Sequence, residues 1–421
     1  MNILFIANYY PPSKFGWGYM QLCEEVADGL HAKGHEIAVL TSTRCDGNEI
    51  PRPYPVHRWL HIDPDWESNW PAALQFFVGR RKREREAVSH LNQLVSSYRP
   101  DVIFVWHAVG LPNLIFHEAE RLAQGQVVYY LADYQPELID EYFGFWASQP
   151  VRPRAKMFKR PVSHLALRLL AREGKPIPVD YEHVICVSNY VRERLVARDL
   201  ISPKAVVIHN GVDLSHFSPD GSRGAIAPHS EYRCLVAGRI TEEKGIHTVI
   251  DGFAALNSEA QHPSIKLTIL GDGPADYVEH LQQKIQAHHL QDIIEFQSPV
   301  PREKMPDILS CHDILILPSE YDEPLARAGQ EAMAMGLLVI GTTTGGSGEL
   351  LIHEKTGLVF EAGNPQSLAT QLCRVLDDAQ LVEELAKAGQ QEVIENFNIE
   401  RTIDRIEQYL LDLHNSNGVA R

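Results

Sequence analysis

The stretch PSEYDEPLARAGQEAMAMG, residues 318–336, lies between two apolar runs, ILILP at 314–318 and LLVIG at 337–341. This order is typical of a strand, an acidic turn, a helix and a second strand in a parallel sheet. It predicts a helix that begins at Pro324, where a missing N–H costs nothing, and ends at Gly336. The acidic turn then lies at the carboxyl end of a strand, where open α/β sheets bind ligands.

Glu323 and Glu331 are the acidic residues of this stretch that a ligand would meet. We expect Glu323 at the helix entrance and Glu331 about two turns in, which separates them by about 12 Å. Two carboxylates that act on one glycosidic bond lie roughly 5–9.5 Å apart, so this pair is predicted to contact two parts of a long ligand. The helix start between them favours an anion such as a diphosphate.

Length and composition limit the class of protein. The chain has 421 residues, 44% apolar and 22% charged, with a net charge of −16. These values predict about two or three globular domains and argue against nucleic acid as a partner. The start, MNILFIANYYPP, predicts a strand and not a signal peptide, and no apolar run approaches the roughly 18 residues of a spanning helix. Six scattered cysteines predict reduced thiols in a cytoplasmic protein.

Apolar runs alternate with helical patterns along both halves of the chain. The predicted strands are NILFIA, HEIAVLTS, DVIFVW, QVVYYLA, HVICVS and KAVVIHNGVD in the first half, and YRCLVAGR, KLTILGDGP, DIIEFQSPV, DILILPS, LLVIGT and TGLVFE in the second. Such alternation predicts an α/β fold with two Rossmann-like parallel-sheet domains. Two such domains joined by a short linker are expected to leave a central cleft for a ligand.

The predicted linker is SPDGSRGAIAPHSEY, residues 218–232, which is rich in Pro, Gly and Ser and has no periodicity. We therefore place a first domain at 1–217 and a second at 218–397. The amphipathic pattern at 397–414 predicts a long last helix, and we expect 398–421 to pack back on the first domain.

Small and cationic residues stand in several predicted strand-end loops. Arg239 and Lys244 flank the acidic turn of GRITEEKG, a pattern that suits a diphosphate held by charge-assisted hydrogen bonds. Gly16 and Gly18 lie in the predicted first strand–helix loop, where glycines let the backbone approach a ligand. The pair lacks the third glycine of the dinucleotide fingerprint, so alone it indicates little.

Taken together, these patterns resemble the retaining glycosyltransferases of family 4, which have the GT-B fold. The resemblance covers nearly the whole chain, in order and in spacing. It is carried by the YPP…G-x-G loop (10–18), VIHNGVDLSHFSP (207–219), GRITEEKG (238–245), EPLARAGQEAMAMG (323–336) and GGSGELLIHEKTGLVF (345–360).

The resemblance implies a role for each matching residue. Arg239 and Lys244 would hold the donor diphosphate, Glu331 the ribose hydroxyls and Glu323 the donor sugar. Neither a metal nor a cofactor is implied, because Arg, Lys and the helix dipole supply the electrostatic stabilisation. The leaving phosphate would take the acceptor's proton after front-face attack. The expected donor-binding residues are Gly16, Gly18, Arg239, Lys244, Ser298, Val300, Leu325, Ala326, Arg327 and Glu331.

Two positions depart from the family pattern. QVVYYLADYQPE resembles the family's H-D-x-x-P segment, but Ala132 replaces its His while Asp133 and Pro136 are kept. His107, at the end of DVIFVW, is the nearest substitute, although a strand-end His is also a common structural residue. Ala326 stands where many members have Gly. The expected catalytic residues are Glu323, Arg239, Lys244, Asp133 and His107.

The acceptor is the least determined partner. Residues 152–175 carry eight Lys or Arg and one Glu, and RRKRER follows WPAALQFFV at 80–85. Two interpretations stay open: basic amphipathic segments at 70–85 and 152–175 that contact an anionic membrane at its inner face, or solvated helix faces beside the cleft with a glycan acceptor. The apolar face of the second segment would comprise Met157, Leu165, Leu169 and Leu170.

The sequence therefore predicts a metal-independent retaining glycosyltransferase that moves a sugar from a UDP- or GDP-sugar to a glycan, lipid-linked or small-molecule acceptor. Two alternatives keep the fold: a sugar-nucleotide epimerase or hydrolase, and a nucleotide-sugar-binding protein without activity. A third is a metal-dependent GT-A enzyme, because Asp63–Pro64–Asp65 forms a D-x-D motif.

Overall fold

The computed structural model describes residues 1–15, 17–65, 71–138, 140–148, 153–219, 231–257 and 264–418. The chain forms two compact units. The first comprises Met1–Val187, Val191–Ile208 and Ile403–Arg421, and the second comprises Ser188–Tyr190 and His209–Thr402. Most of the predicted linker, residues 220–230, lies outside the described residues.

The first unit is built on a parallel sheet that has seven strands among the described residues. The strands are β1 Asn2–Ile6, β2 Glu36–Ser42, β3 Val56–Leu60, β4 Val102–Val105, β5 Val127–Leu131, β6 His183–Cys186 and β7 Val206–Val207. Their order is β3-β2-β1-β4-β5-β6-β7, so the strand order reverses between β1 and β4. The carboxyl ends of strands at such a reversal are where doubly wound sheets bind ligands.

The connecting segments of this unit are mainly helical. The helices are α1 Trp17–Ala32, α2 Ala72–Phe77, α3 Arg80–Tyr98, α4 Asn113–Leu122, α5 Glu141–Ala147, α6 Pro153–Arg172 and α7 Asn189–Ala197. The central strands β1, β4 and β5 are buried along almost their whole length, because helices cover both faces of a parallel sheet.

The second unit repeats this plan with six parallel strands in the part that the structure describes. The strands are β8 Glu231–Ala237, β9 Ser264–Leu270, β10 Ile294–Gln297, β11 Ile314–Leu317, β12 Leu338–Gly341 and β13 Leu358–Val359. The helices are α8 Ile246–Asn257, α9 Ala275–Ala287, α10 Met305–Ser310, α11 Arg327–Ala334, α12 Pro365–Asp377, α13 Ala379–Asn396 and α14 Ile399–Gly418. The order β10-β9-β8-β11-β12-β13 again reverses, here between β8 and β11.

The two predicted parallel sheets are confirmed, and the differences are local. The strand β3 was not predicted, because VHRWL is half-buried and carries two basic residues in place of an apolar run. The strand β7 covers only Val206–Val207, although KAVVIHNGVD was predicted as one run. The residues after it leave the sheet and make other contacts.

Those contacts explain where the chain divides between units. A Cβ on Gly211 would lie 2.3 Å from the carbonyl carbon of Asn398, so only glycine allows the two backbones to come this close. The Val212 amide donates to the Phe397 carbonyl at 2.8 Å, and the Ile399 amide donates back to Val212 at 3.0 Å. The NGVD segment is therefore held by the end of the second unit, and the division falls after Ile208, whereas the sequence placed it at 217.

The last helix, α14, returns to the first unit, as the sequence predicted. From Ile403 onward its residues cluster with that unit. The Ile403 side chain fills the space where a Cβ on Gly29 would lie, 2.3 Å from its terminal carbon. One turn on, Glu407 accepts hydrogen bonds from Lys33 at 2.8 Å and from His35 at 2.9 Å.

Candidate functional site

The helix α11 begins at Arg327, so the prediction that Pro324 is its first residue was wrong. The Glu323 carbonyl accepts a hydrogen bond of 2.7 Å from the Gly346 amide, which holds this part of the chain against the loop after β12. Ala326 is still extended, with φ −79° and ψ 102°. Glu331 is consequently the fifth residue of the helix, about one turn in and not two.

The predicted end of the helix at Gly336 is confirmed. Gly336 has a φ of +76°, a conformation that favours glycine. Its amide donates to the Met333 carbonyl at 2.9 Å, and the Leu337 amide donates to Ala332 at 3.0 Å. This is the hydrogen-bond pattern of a Schellman motif, which ends the helix and starts β12.

Two glycines fix the backbone of Glu323 and Pro324. A Cβ on Gly345, which has a φ of +62°, would lie 2.2 Å from the Glu323 carbonyl oxygen. A Cβ on Gly346 would lie 2.0 Å from the Pro324 carbonyl oxygen. Both contacts are with backbone atoms, which cannot turn aside as a side chain does. The two glycines therefore let the loop after β12 pack directly against the backbone of the acidic turn and hold it in position.

The Glu323 carboxylate is held by two donors. It accepts hydrogen bonds from Lys244 Nζ at 2.8 Å and from Ser319 Oγ at 2.9 Å. Lys244 Nζ also lies 3.3 Å from the Tyr321 hydroxyl. Burial, and then the Glu323 carboxylate, raise the pKa of Tyr321, so this hydroxyl keeps its proton. Of these partners, Ser319 and Tyr321 were not predicted.

Lys244 reaches Glu323 because its loop packs on the end of β11. Gly245 has a φ of +66°, and a Cβ there would lie 2.1 Å from the Pro318 carbonyl oxygen. The Glu320 amide donates to the Glu243 carbonyl at 2.9 Å across the same contact. In the sequence EKG, the glycine allows the close contact that places the lysine at the end of the strand.

Arg239 belongs to the same edge. It follows β8, which pairs with β11, and its side chain is 48% exposed. Its guanidinium lies 3.3 Å from the Glu243 carboxylate. The structure therefore brings Arg239, Lys244 and Glu323 to the carboxyl ends of two neighbouring strands, as the sequence predicted.

Glu331 is paired with a residue that the sequence analysis missed. Arg302 donates to its carboxylate at 2.9 Å, and Arg327 Nε lies 3.8 Å away. The Arg302 guanidinium also lies over the Phe217 ring, 5.2 Å from its centre. Arg302 lies five residues after the strand β10, and nothing in its local sequence distinguishes it from an ordinary basic residue.

The N-cap residue of α11 supplies no side-chain cap to the helix start. The amides of a first helical turn have no acceptor within the helix, and the N-cap residue Ala326 has no side-chain oxygen to supply one. Leu325 and Ala326 are buried, so this part of the backbone is fixed. Gln330 anchors the helix by exchanging amide hydrogen bonds of 3.0 and 3.2 Å with Asn210 of the NGVD segment.

A cavity of about 360 Å³ opens beside this edge, at the ends of β8, β9 and β10. Ser298 lines it, and half-buried Val300 follows two residues later. Gly271 and Gly273 form part of the wall, and a Cβ on either would lie within 2 Å of a carbonyl oxygen of the segment after β8. Ser298 and Val300, two of the expected donor-binding residues, thus lie at or next to a cavity of the second sheet.

The glycine loop of the first unit differs from the prediction. Gly16 lies outside the described residues. Gly18 is not in a loop but in the first turn of α1, which begins at Trp17. The apolar periodicity from Met20 missed this start, because a first turn needs no periodic apolar residue.

His107 and Asp133 are brought together at the ends of β4 and β5. His107 Nε2 lies 2.9 Å from Asp133 Oδ2, and Nδ1 lies 2.9 Å from the side-chain amide of Asn8. Asn8, at the end of β1, is buried and was not predicted. Ala132 is buried beside them. The structure therefore places the His107 imidazole next to the Asp133 carboxylate, and the two residues follow different strands.

The D-x-D motif has a structural role. Asp63 accepts two hydrogen bonds from Arg83, at 2.7 and 3.0 Å, and another from Tyr142. Asp65 pairs with Arg44. In the described part of the chain, His, Cys, Asp and Glu side chains form no group of three that could hold a metal ion.

The basic segments are only partly on the surface. Arg80 is buried and bonds to Glu84 at 3.0 Å, and Lys175 is buried against the same carboxylate. Leu170 is also buried, in a cluster with Phe76, so it is not part of an exposed face as predicted. The side chain of Met157 lies outside the description.

Other residues of these segments are exposed. The large apolar ones are Leu74, Phe77, Val78, Val162 and Leu165. The cations Arg81 and Lys82 are also exposed, with side chains 65% and 75% accessible; they pair with Glu173 and Glu86, and Phe77 lines one surface cavity with both of them. We call these seven residues the α2–α6 patch. None of the described helices combines the length and apolar character needed to cross a membrane.

The chain is an α/β protein with two Rossmann-like parallel sheets, and the second sheet has cations and a helix start at the carboxyl ends of its strands, where such folds bind ligands. Two family models match it in succession: Glycosyltransferase Family 4 over residues 21–216 and Glycosyl transferases group 1 over residues 223–392. The chain belongs to the GT-B glycosyltransferases of the family 4 type.

Individual relatives agree with this assignment. Two Bacillus subtilis proteins, YtcC and spore coat protein SA, are 29% and 26% identical over 56% of this chain. The chain matches only 61% and 66% of their lengths, less than two thirds of each. A glycogen synthase of Mycobacterium tuberculosis is 25% identical over 94% of this chain and 91% of its own.

The fold is also that of a solved structure. HepE of Anabaena, in complex with UDP, superposes with a TM-score of 0.67 over 98% of this chain and 100% of its own. At 19% identity this likeness concerns the fold alone. It confirms the predicted GT-B fold.

Proposed function

We propose that this protein is a metal-independent retaining glycosyltransferase that uses a nucleotide diphosphate sugar as donor. The observation that carries the proposal is the contact of Lys244 with Glu323 beside the uncapped start of α11. A cation, a set of helix amides and a carboxylate that meets sugar hydroxyls are the groups that a sugar diphosphate requires.

The charges suit the leaving group. As the bond from the sugar to the diphosphate breaks, negative charge grows on the diphosphate. Arg239, Lys244 and the first-turn amides of α11 would stabilise this charge without a metal ion, because preorganised donors do not need to reorganise during the reaction. The leaving phosphate would then accept the proton of the attacking hydroxyl, as the resemblance to family 4 suggests.

The two glutamates would hold the two ends of the donor. Glu323 is bound to Lys244 at 2.8 Å and would accept hydrogen bonds from the sugar, while Glu331 would accept them from the ribose. Arg302, 2.9 Å from Glu331, would neutralise this carboxylate before the ribose binds. The cavity at Ser298 would receive the base. The complexes of HepE with UDP and UDP-glucose support a uridine donor, with guanosine as the alternative.

The test combines binding with turnover. Thermal shifts with UDP, GDP and their sugars identify the donor, since a ligand that binds only the folded state stabilises it. With that donor, Glu331→Ala should weaken binding about 10- to 100-fold, and Lys244→Ala should lower kcat about 100- to 1,000-fold, because its charge acts on the leaving group. Lys387→Ala, an exposed lysine of α13, is the matched control. Wild-type activity in both site variants contradicts the proposal.

Two further readouts separate the alternatives. Proton NMR of the product gives its anomeric configuration, and inversion contradicts a retaining reaction. Release of free nucleotide at full rate without acceptor identifies a hydrolase or epimerase instead. Donor binding with neither reaction, across a panel of acceptors, identifies a binding protein without activity.

The acceptor is proposed to be a glycan or lipid-linked saccharide met at an anionic membrane surface. The α2–α6 patch supports this, because its exposed Phe77 lies beside the exposed cations Arg81 and Lys82 on a chain of net charge −16. Such a combination favours a surface with both acyl chains and negative headgroups. The alternative, a soluble glycan acceptor, predicts no lipid binding.

A further inference from the structure

The orientation of the Asn8 side chain is fixed by its neighbours. Its Oδ1 accepts a hydrogen bond of 2.8 Å from the Tyr9 amide, and its Nδ2 donates to the Val109 carbonyl at 2.8 Å. Turning the amide over would set oxygen against the Val109 carbonyl and nitrogen against the Tyr9 N–H. Neither contact is a hydrogen bond, so the second hydrogen of Nδ2 must point at His107 Nδ1, 2.9 Å away.

This donor determines the tautomer of His107. A neutral imidazole has one nitrogen that donates and one that accepts. Because Nδ1 meets the Asn8 donor, Nδ1 is the acceptor and the hydrogen is on Nε2, which lies 2.9 Å from Asp133 Oδ2. The Tyr19 ring stacks on the imidazole, with 5.3 Å between the ring centres and 18° between the ring planes. The backbone N–H of Asn8 donates to the His107 carbonyl at 2.9 Å. The stacking holds the ring, and the backbone hydrogen bond holds the main chain of His107.

It is therefore unfavourable for His107 to accept a proton. Its Nε2 already carries a hydrogen, and a proton added to Nδ1 would meet the N–H of Asn8. Asp133, in contrast, can still accept further hydrogen bonds. Its Oδ1 accepts from the Gln135 amide at 2.9 Å and its Oδ2 accepts from His107, yet a carboxylate has about four acceptor positions and this side chain is 21% exposed.

From this geometry we infer that His107 is a positioning residue and Asp133 is the group that meets the ligand. His107 donates from Nε2 and thereby orients the carboxylate of Asp133 towards a hydroxyl of a bound sugar. No proton passes to the imidazole. The inference rests on the proposed glycosyl transfer, and it assigns the histidine a role opposite to that of an acid or base.

Glutamine at position 107 tests this role. Its side-chain N–H can donate to Asp133 but does not titrate near neutral pH. We expect His107→Gln to retain activity within about tenfold of wild type and His107→Ala to fall a further tenfold or more, because glutamine keeps a donor to Asp133 and alanine does not. Loss of a general acid–base group would cost about 10²–10⁴ in both variants. Equal losses in the two variants would show that the imidazole transfers a proton and would overturn the inference.

Asp133→Asn tests whether Asp133 contacts a sugar. It also shows whether that sugar belongs to the donor or to the acceptor. We expect a loss of at least 100-fold in kcat/KM. A parallel loss in donor affinity assigns the contact to the donor sugar, and a raised acceptor KM with unchanged donor affinity assigns it to the acceptor. Activity within a few-fold of wild type would overturn the inference.

Nitrogen-15 NMR of the histidine rings gives a readout that needs no substrate. Among the 20 histidines, the His107 signal is the one that His107→Gln removes. We expect the neutral Nε2–H tautomer at pH 7.5, and protonation of Nδ1 in Asn8→Asp, which replaces the donor with an acceptor. A wild-type ring protonated at Nδ1 would overturn the inference. If the tautomer is as expected but no transfer occurs, only the proposed function fails.

Discussion

At the scale of single residues, the candidate site depends on glycines where any side chain would meet backbone. Gly245 packs against the Pro318 carbonyl and thereby brings Lys244 to Glu323. Gly345 and Gly346 pack against the backbone of the acidic turn itself. Each contact joins loops that are distant in sequence. The glycines act on the site by fixing where its charged residues lie, and they need not contact a ligand.

Gly346→Ala tests this positioning. The added Cβ would lie 2.0 Å from the Pro324 carbonyl oxygen, so the acidic turn must move, at a cost of about 1–3 kcal/mol. We expect a lower Tm and a weaker affinity for the donor nucleotide. Gly348→Ala in the same loop is the control, because its nearest neighbour lies at an ordinary 3.5 Å. Equal effects of the two substitutions would contradict the assignment.

The residues that the sequence did not reveal are those whose role depends on distant contacts. Glu323, Lys244 and Arg239 stand in recognisable loops at strand ends and could be predicted. Asn8 orients a histidine 99 positions away, and Arg302 pairs with a glutamate 29 positions away. Nothing in their local sequence distinguishes them from ordinary polar residues, because neither register nor strand order can be obtained from a local pattern.

At the scale of elements, the sequence predicted the buried strands but not the half-buried strand β3 or the starts of the helices α1 and α11. Buried parallel strands are continuous apolar runs, which composition reveals directly. The start of α11 is instead set by the Gly346–Glu323 hydrogen bond, a tertiary contact that overrides the preference of Pro324 for a first turn. The same holds for the NGVD segment, which the end of α13 draws away from β7.

The first two residues of α7, Asn189 and Tyr190, belong to the second unit, and a distant carboxylate of the same unit holds them. Glu349 accepts hydrogen bonds from the amides of Asn189 and Tyr190, at 3.0 Å each, and from His209 Nε2 at 2.8 Å. Burial opposes its ionisation, but these donors outweigh burial and lower the pKa of the Glu349 carboxyl. The carboxylate thus caps the helix start, where negative charge is favourable.

This cap predicts a pH-dependent stability. Because the folded pKa of Glu349 is below its unfolded value, its stabilising effect is present above the ordinary carboxyl pKa and is lost as the pH falls through the folded pKa. We expect Glu349→Gln to lower the free energy of unfolding by about 1 kcal/mol at pH 7. The difference in Tm between the two proteins should shrink from pH 6 to pH 3.5. A difference that is constant with pH would contradict the assignment.

At the scale of the whole molecule, the charge distribution is uneven. The chain carries a net charge of −16, yet the α2–α6 patch has cations beside apolar residues that are exposed to about half of their area. Part of the basic character predicted for these segments is instead internal, since Arg80 and Lys175 are buried with Glu84. The sequence showed the excess of positive charge, but only the packing shows which cations reach solvent.

The remaining cations and apolar residues predict binding to anionic vesicles. We expect flotation with phosphatidylglycerol-containing liposomes and not with neutral phosphatidylcholine, and weaker binding at high salt. Burying one phenylalanine is worth about 1.5–3 kcal/mol, so Phe77→Gln should weaken binding about tenfold or more. Ile352→Gln and Ile394→Gln remove apolar residues of similar exposure, 41% and 43% against 44%, from the other unit and should leave binding unchanged. Equal flotation with both lipids, or equal loss in all three variants, would contradict a membrane-facing patch and favour a soluble acceptor.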